Sequence, residues 1–302
     1  MAGDAANRSS PRLARYVRAL RAFSFPVSVG PAILAVAAVR PPGQWHWPAL
    51  AACVFGVACL HAAGNLLNDY FDFRFGVDRR VHDDDGRPGR LLVRGELPPA
   101  AVLAEAGVCL LLAAGPAAYL TWLRGPAVAA FAAVAAAGLY AYTGPPLRLK
   151  HRGLGEPLIF LLFGPGLMAG CAYVQTGRLA TTALLLSVPV GLATTAILVG
   201  NNVRDREEDR AAGIVTLAGP AGGRVARALY VVLVAGCLLG VAAVAAAGRA
   251  PRVLLAAPLL GVLLARPLAA MCRGRRLPDI DARTARFEAV LLVALIAAYV
   301  LQ

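Results

Sequence analysis

The chain has 302 residues, 59% of them hydrophobic and 16% charged, and its formal net charge is +13. Soluble domains are nearer half apolar, so this composition argues against a soluble protein and favours an integral membrane protein. A basic soluble protein would suggest a nucleic-acid partner, but here apolar runs long enough to cross a bilayer separate the Lys and Arg residues. We therefore expect the lipid bilayer, and no nucleic acid, as a partner.

A membrane-spanning helix requires about 20 mostly apolar residues. The chain contains nine such segments, at 20–39, 48–68, 99–121, 126–142, 157–175, 180–200, 227–247, 252–271 and 287–302. The pattern predicts an all-α fold, a polytopic membrane bundle of about nine transmembrane helices. We expect one integral-membrane domain over residues 1–302, in which residues 1–19 form a cytosolic N-terminal lead.

The basic residues are unevenly divided between the two sets of predicted loops. With nine spans, 24 of the 30 Lys and Arg residues fall in the N-terminal segment and the alternate loops on its side, and five fall on the other side. Loops rich in Lys and Arg remain on the cytosolic side of a membrane. We therefore predict a multi-pass protein of the plasma membrane with its N-terminus and long loops in the cytosol. The sequence predicts no oligomeric state.

A first polar cluster lies where the second predicted span meets a cytosolic loop. It contains Asn65, Asn68, Asp69 and Asp72, and Asp78 follows in the loop. On a helix, Asn65, Asp69 and Asp72 are spaced i, i+4 and i+7, so they share one face. Carboxylates at this depth in a membrane protein are expensive and usually functional.

A second polar element follows the fourth predicted span and contains Tyr142, Arg148 and Lys150. Arg and Lys side chains donate to phosphate oxygens, and a tyrosine ring can stabilise a cation through its face. The alternative interpretation is ordinary positive charge on a cytosolic loop, with the tyrosine as an interfacial anchor.

A third polar cluster, Asn201 to Asp209, follows the sixth predicted span. Asn201, Asp205 and Asp209 are spaced i, i+4 and i+8, again on one helix face, and Arg204 lies beside them. Two facing carboxylate arrays repel each other unless cations lie between them. Mg²⁺ prefers oxygen ligands and commonly binds through one or two carboxylates together with substrate phosphates. The alternative is that these acids are solvated and paired with arginines nearby in the sequence, Arg74, Arg204 and Arg206.

These clusters resemble the motifs of the UbiA superfamily of intramembrane prenyltransferases. The stretch 65–78 is similar to the first Asp-rich motif, and 201–209 with 213–218 is similar to the second. Residues 142–144 and 153–156 resemble the loop between the fourth and fifth helices. Within the superfamily the likeness is greatest to the MenA family, the 1,4-dihydroxy-2-naphthoate polyprenyltransferases of menaquinone synthesis. Two departures are Ile214, where the MenA pattern has Lys, and Ala22, where Pro usually follows the residue matched by Arg21.

The resemblance implies a central cavity with both Asp motifs at its cytosolic mouth. It implies that Mg²⁺ is the cofactor, that a prenyl diphosphate is the donor and that an aromatic quinone precursor is the acceptor. The carboxylates of the two motifs would bind the metal: Asp69, Asp72, Asp78, Asp205 and Asp209. All of these except Asp78 would also be catalytic. Substrate binding would involve Asn65, Asn68, Tyr142, Arg148, Lys150, Asn201 and Arg204.

Three other functions are compatible with parts of the pattern. A sibling enzyme would use 4-hydroxybenzoate, a porphyrinoid or a glycerophosphate ether lipid as acceptor. A cation transporter would carry its acids near the membrane midplane on broken helices, whereas these acids lie at predicted helix ends beside Arg and Lys. A soluble terpene synthase is disfavoured by the nine apolar segments and the charge asymmetry.

Overall fold

The computed structural model describes residues 12–77, 91–206, 222–275 and 277–301. Within these ranges every regular element is helical, which confirms the predicted all-α fold. The helices are α1 (Arg12–Ala19), α2 (Pro26–Ala37), α3 (Trp47–Arg74), α4 (Pro99–Arg124), α5 (Pro126–Thr143), α6 (Gly155–Leu161), α7 (Leu167–Thr176), α8 (Thr181–Arg204), α9 (Gly222–Ala246), α10 (Ala265–Cys272) and α11 (Ile280–Val300). A π-helical segment, Leu162–Gly166, joins α6 to α7, and a 3₁₀ helix, Arg252–Leu264, leads into α10.

The described residues contain seven helical segments long and apolar enough to cross a membrane. The segments Leu13–Ser24 and Pro26–Ala37, bent by 50°, form an eighth if they are counted as one broken span. The predicted count of nine is therefore not confirmed. The difference lies at α11, since the predicted span 287–302 is only the apolar end of a helix that also carries Arg283 and Arg286.

The buried carboxyl group of α11 has a hydrogen-bond partner on α8. Glu288 is fully buried, and its Oε1 accepts a hydrogen bond from Thr194 Oγ1 of α8 at 2.6 Å. Helix α8 has the most buried apolar segment of the spans and contacts α9, α11, α6 and the π-helical segment. By contrast, few residues of α4 and α5 are buried, and large apolar side chains such as Leu111 and Trp122 are exposed. Apolar side chains facing outward are the surface that lipid requires.

Small residues let the π-helical segment approach α8 closely. A Cβ atom built on Gly164 would lie 2.7 Å from the Ser187 carbonyl oxygen and 2.9 Å from Gly191 Cα. Both obstacles are backbone atoms, so they cannot rotate away. Close packing of small residues is a main source of helix association in membranes, because burial from lipid supplies little hydrophobic driving force.

We expect Gly164→Ala to destabilise the protein by about 1–3 kcal/mol, because the added methyl group forces the two backbones apart. The measurement is the thermal midpoint of the purified protein in detergent. Gly115→Ala on α4 is the matched control, since no atom lies within 4 Å of the Cβ built there. Equal midpoints for the two variants would contradict the packing interpretation.

Candidate active site

The end of α3 carries two buried carboxylates with cationic partners from distant parts of the chain. Asp69 and Asp72 retain 7% and 4% of their accessible surface. Asp69 Oδ1 accepts a hydrogen bond from the guanidinium of Arg21. Lys150 Nζ donates to Asp72 Oδ2 at 2.6 Å, and His151 Nε2 lies 3.4 Å from Asp72 Oδ1. Two acids in a mostly buried position are thus held as ion pairs, which offset part of their desolvation cost.

The amides of the first motif join the same cluster. Asn68 Oδ1 accepts a hydrogen bond from Lys150 Nζ at 3.3 Å. Asn65 Nδ2 donates to the Leu20 carbonyl oxygen at 3.1 Å and to Ser24 Oγ at 3.2 Å. The first motif is therefore tied on one side to the segment between α1 and α2, and on the other side to the loop between α5 and α6.

Two arginines at this end of the bundle adopt left-handed backbone conformations. Among the described residues, Arg21 (φ 54°) and Arg148 (φ 47°) are the non-glycine residues with positive φ. Such a conformation costs free energy for a residue with a Cβ and is concentrated at functional sites. Arg21 reaches Asp69, and the Arg148 guanidinium lies 3.7 Å from the centre of the Phe75 ring. Both backbones therefore direct a cation toward the end of α3.

The second motif is arranged around Arg204 at the end of α8. Its Nε and Nη2 donate to the two oxygens of Asp205, each at 2.7 Å, and Nη2 also donates to Asn201 Oδ1. Arg204 Nη1 lies 2.6 Å from Asp281 Oδ2 at the start of α11. Three of these contacts fix the Arg204 guanidinium at the end of α8, and the fourth, to Asp281, joins that end to α11.

The loop between α5 and α6 links the two motifs. Lys150, in a 3₁₀ turn of this loop, contacts Asp72 of the first motif. Six residues later, buried Glu156 accepts a hydrogen bond from Asn202 Nδ2 of α8 at 3.0 Å. The ends of α3 and α8 therefore lie at the same end of the bundle. Tyr142, at the end of α5, has its ring centre 6.0 Å from Lys150 Nζ.

Several contacts at this site were not predicted from the sequence. Arg21, His151 and Glu156 were not among the candidate site residues, and Arg21 was noted only as the residue before Ala22. Of the predicted residues, Asp78 and Asp209 lie outside the described part of the chain. Among the described residues, no three His, Cys, Asp or Glu side chains form a ready-made metal cluster. Each predicted metal-binding carboxylate that is described has a basic side chain beside it.

An apolar cavity of about 530 Å³ begins below the first motif. Residues of α3, α4, α5, α7 and the π-helical segment line it. Its polar lining consists of Ser28 and His61, together with the thiols of Cys53 and Cys171; no Lys, Arg, Asp or Glu is among the lining residues. The stripe of α3 that lines this cavity continues from His61 through Asn65 to Asp69 at i+4 spacing, so one helix face joins the cavity to the acidic cluster.

A helical membrane bundle with acidic motifs at two helix ends and an apolar cavity below them defines a class of intramembrane transferase. The model of the UbiA prenyltransferase family matches residues 28–298. The chain belongs to this family and is a prenyltransferase.

Curated relatives and solved structures agree with this assignment. The chain is 36% identical over 288 residues to UbiA prenyltransferase domain-containing protein 1 of Xenopus tropicalis, which covers 94% of this chain and 80% of the relative. The rat protein of that name is 39% identical over 211 residues, 68% of this chain and 61% of the relative. These relatives are not named as naphthoate prenyltransferases, so the finer resemblance to MenA is not supported.

The fold is similar to solved structures of distant homologues. A UbiA homologue from Archaeoglobus fulgidus bound to GPP and Mg²⁺ has a TM-score of 0.66 at 17% identity, covering 95% of this chain and all of that one. The apo structure of a UbiA homologue from Aeropyrum pernix K1 has a TM-score of 0.66 at 18% identity, covering 92% and 96%. At these identities the similarity establishes the fold.

Proposed function

We propose that this protein transfers a prenyl group from a Mg²⁺-bound prenyl diphosphate to a hydroxylated aromatic acceptor in the membrane. This proposal rests on one observation: the face of α3 that lines the apolar cavity continues to the buried carboxylates of the first motif. A prenyl diphosphate has the same division, with an apolar chain at one end and a strongly anionic group at the other. The chain would occupy the cavity, and the diphosphate would lie near Asp69 and Asp72.

The carboxylates are suited to divalent cations. Asp69, Asp72 and Asp205 offer oxygen ligands of the kind that Mg²⁺ prefers, and buried Asp72 presents one oxygen to Lys150 and the other to His151. We assign Mg²⁺ binding to these three residues together with Asp78 and Asp209. When bound, Mg²⁺ supplies positive charge that stabilises the departing diphosphate.

The basic residues then act on the diphosphate. Arg21 pairs with Asp69, and Lys150 pairs with Asp72. Were these carboxylates to hold Mg²⁺, the two cations would be available to donate to diphosphate oxygens. Arg148 and Arg204 lie at the same end of the bundle and would add further donors. Each basic residue would thus have two anionic partners, its carboxylate and the departing diphosphate.

The cavity performs two tasks in this proposal. It holds the isoprenoid chain, and its apolar walls exclude water from the allylic carbon while the carbon–oxygen bond breaks. The faces of nearby rings, including that of Tyr142, stabilise the developing cation. The electron-rich acceptor ring then attacks that carbon.

Two acceptor types are distinguished by charge. The sequence resemblance to MenA favours 1,4-dihydroxy-2-naphthoate, whose ring carbon would lose CO₂ after attack. The described cavity lining contains no Lys or Arg that would pair with an acceptor carboxylate. An unpaired carboxylate in an apolar cavity is costly, so the lining favours an uncharged dihydroxylated ring.

The test is prenyl transfer by the purified protein in nanodiscs, with Mg²⁺, labelled geranylgeranyl diphosphate and a panel of acceptors. The panel contains 1,4-dihydroxy-2-naphthoate, the same naphthohydroquinone without the carboxylate, and 4-hydroxybenzoate. We expect product that is abolished by EDTA and restored by Mg²⁺. Product only from a carboxylated ring would overturn the charge argument, and absence of product from every acceptor would overturn the proposed function.

Substitutions in the cavity wall test the assigned place of the prenyl chain. Ala135 of α5 lines the cavity, whereas Ala133 is exposed on the same helix. We expect Ala135→Phe to reduce transfer from geranylgeranyl diphosphate about tenfold or more, and transfer from dimethylallyl diphosphate less than twofold, because one added ring fills space that only the longer chain needs. Ala133→Phe is the matched control. Equal losses with both donors would place the chain elsewhere.

We further propose that residues 1–302 form one prenyltransferase domain in the plasma membrane with the acidic end of the bundle in the cytosol. The excess of Lys and Arg in the loops at that end supports this orientation. A cytosolic site would meet the water-soluble diphosphate group directly.

A further inference from the structure

His61 is an imidazole in the wall of the apolar cavity. It lies on α3, and the rings of Phe25 and Phe163 pack against it with centroids 5.6 Å and 5.4 Å away. Ser28 of α2 is the other hydroxyl or imidazole group in the described lining. A titratable group in an otherwise apolar reaction cavity is a candidate for proton transfer.

Both ring nitrogens of His61 face serine hydroxyls. Ser28 Oγ lies 2.8 Å from Nδ1, and Ser24 Oγ lies 3.2 Å from Nε2. Each serine also has a backbone acceptor within reach, since Ser24 Oγ is 2.8 Å from the Arg21 carbonyl oxygen and Ser28 Oγ is 3.1 Å from the Phe25 carbonyl oxygen. Every hydroxyl can therefore direct its proton either to the ring or to the backbone.

This arrangement satisfies the imidazole in both of its charge states. In the neutral form, Ser28 donates to Nδ1, and Nε2–H donates to Ser24. In the protonated form, Ser28 turns its proton to the Phe25 carbonyl oxygen and accepts from Nδ1–H. Rotation of the Ser28 hydroxyl is the only rearrangement required. When the imidazole gains a proton, both of its ring nitrogens therefore still have a hydrogen-bond partner. A carboxylate partner would instead have favoured the charged ring throughout.

His61 lies on the cavity side of the first acidic motif, about two helical turns from Asp69 on α3. His61 and Asp69 are eight residues apart on α3, which is about 12 Å along the helix axis. Asn65 lies between them and donates to Ser24 Oγ at 3.2 Å, so the serine network is joined to the first acidic motif. If the diphosphate lies at Asp69 and Asp72, the allylic carbon and the acceptor lie below it, toward His61 and Ser28.

We propose that His61 is the proton acceptor of the transfer reaction and that Ser28 relays the proton from the acceptor hydroxyl; this rests on the proposed function. The allylic carbon–oxygen bond breaks, and its electron pair leaves with the diphosphate. The acceptor ring supplies the electron pair of the new carbon–carbon bond. The acceptor hydroxyl loses its proton to Ser28 Oγ, as Ser28 passes its own proton to His61 Nδ1. The product of this step is the keto form of the ring, and a shift of hydrogen from the alkylated carbon to the oxygen restores the aromatic hydroxyl. One proton is thus released to His61 for each prenyl group.

The test compares His61→Gln with the wild type, using acceptors of graded hydroxyl acidity. Glutamine can hydrogen bond with the serines but cannot take up the proton. We expect its kcat to fall about 10²- to 10⁴-fold with an ordinary phenolic acceptor, the usual contribution of a general base. The KM for the prenyl diphosphate should change less than twofold. With a nitro-substituted acceptor that is already ionised at the assay pH, the loss should shrink to less than tenfold.

Ser28→Ala and His46→Gln complete the design. Ser28→Ala removes the relay and should show the same dependence on acceptor acidity. His46 lies at the start of α3, and His46→Gln should retain kcat. Wild-type kcat in His61→Gln, or an equal loss with every acceptor, would overturn the proposal and leave His61 a structural residue. A wild type inactive with every acceptor would instead overturn the proposed function, and with it this assignment.

Discussion

Asp72→Asn is expected to lower kcat/KM for prenyl transfer by about 10²- to 10³-fold, the range seen when one preorganised electrostatic contact to a reacting group is removed. The substitution preserves the shape of the side chain and its ability to accept from Lys150, but it removes the charge that would hold Mg²⁺. The apparent Mg²⁺ requirement should rise as well. The measurement is the initial rate of transfer as a function of Mg²⁺ concentration.

Asp279→Asn is the control for this variant. Asp279 is also paired with a basic residue, Arg283 at 2.8 Å, but it is half exposed. Loss of an exposed ion pair changes stability little, and we expect activity within twofold of the wild type. If Asp72→Asn elutes as an aggregate, Asp72→Glu tests the same point, because it retains the charge and displaces it by one methylene. Full activity in a folded Asp72→Asn protein would contradict the assignment of Asp72 to the metal.

Helical periodicity in the sequence was sufficient to predict which site residues share a face of the same helix. Asn65, Asp69 and Asp72 share a face of α3 because their spacing is helical and the helix extends to Arg74. The same reasoning placed Asn201 and Asp205 at the end of α8, where the described helix stops at Arg204. The hydropathy of the sequence was sufficient to predict the all-α membrane fold.

Contacts between distant segments were not accessible in this way. Arg21 reaches Asp69 across 48 residues because its backbone turns left-handed between α1 and α2. The bond between Glu156 and Asn202 depends on how α6 packs against α8, which no local pattern encodes. The count of nine spans is not confirmed, because α11, whose first half carries charges and a buried carboxyl group, is not among the described helices apolar enough to cross a membrane.

Asp205→Asn is expected to lower kcat/KM by about 10²-fold or more, because we assign Asp205 to Mg²⁺ binding and not only to its ion pair with Arg204. Arg204 contacts two carboxylates, those of Asp205 and Asp281. If the role of Asp205 is to hold Arg204 and the end of α8, removing either charge should have a similar effect. If Asp205 turns to Mg²⁺ when the diphosphate binds, only its own substitution should abolish transfer.

Asp281→Asn is therefore the matched control. It removes the other carboxylate charge beside the Arg204 guanidinium, from which Asp281 Oδ2 lies 2.6 Å away. We expect it to cost less than tenfold in kcat/KM and to leave the Mg²⁺ dependence unchanged. Equal losses in the two variants, with equal falls in thermal midpoint, would show that the second motif acts through Arg204 as a structural clamp. A loss confined to Asp205→Asn, with a raised Mg²⁺ requirement, would place the second motif in the metal site, because a structural clamp has no reason to respond to the metal concentration.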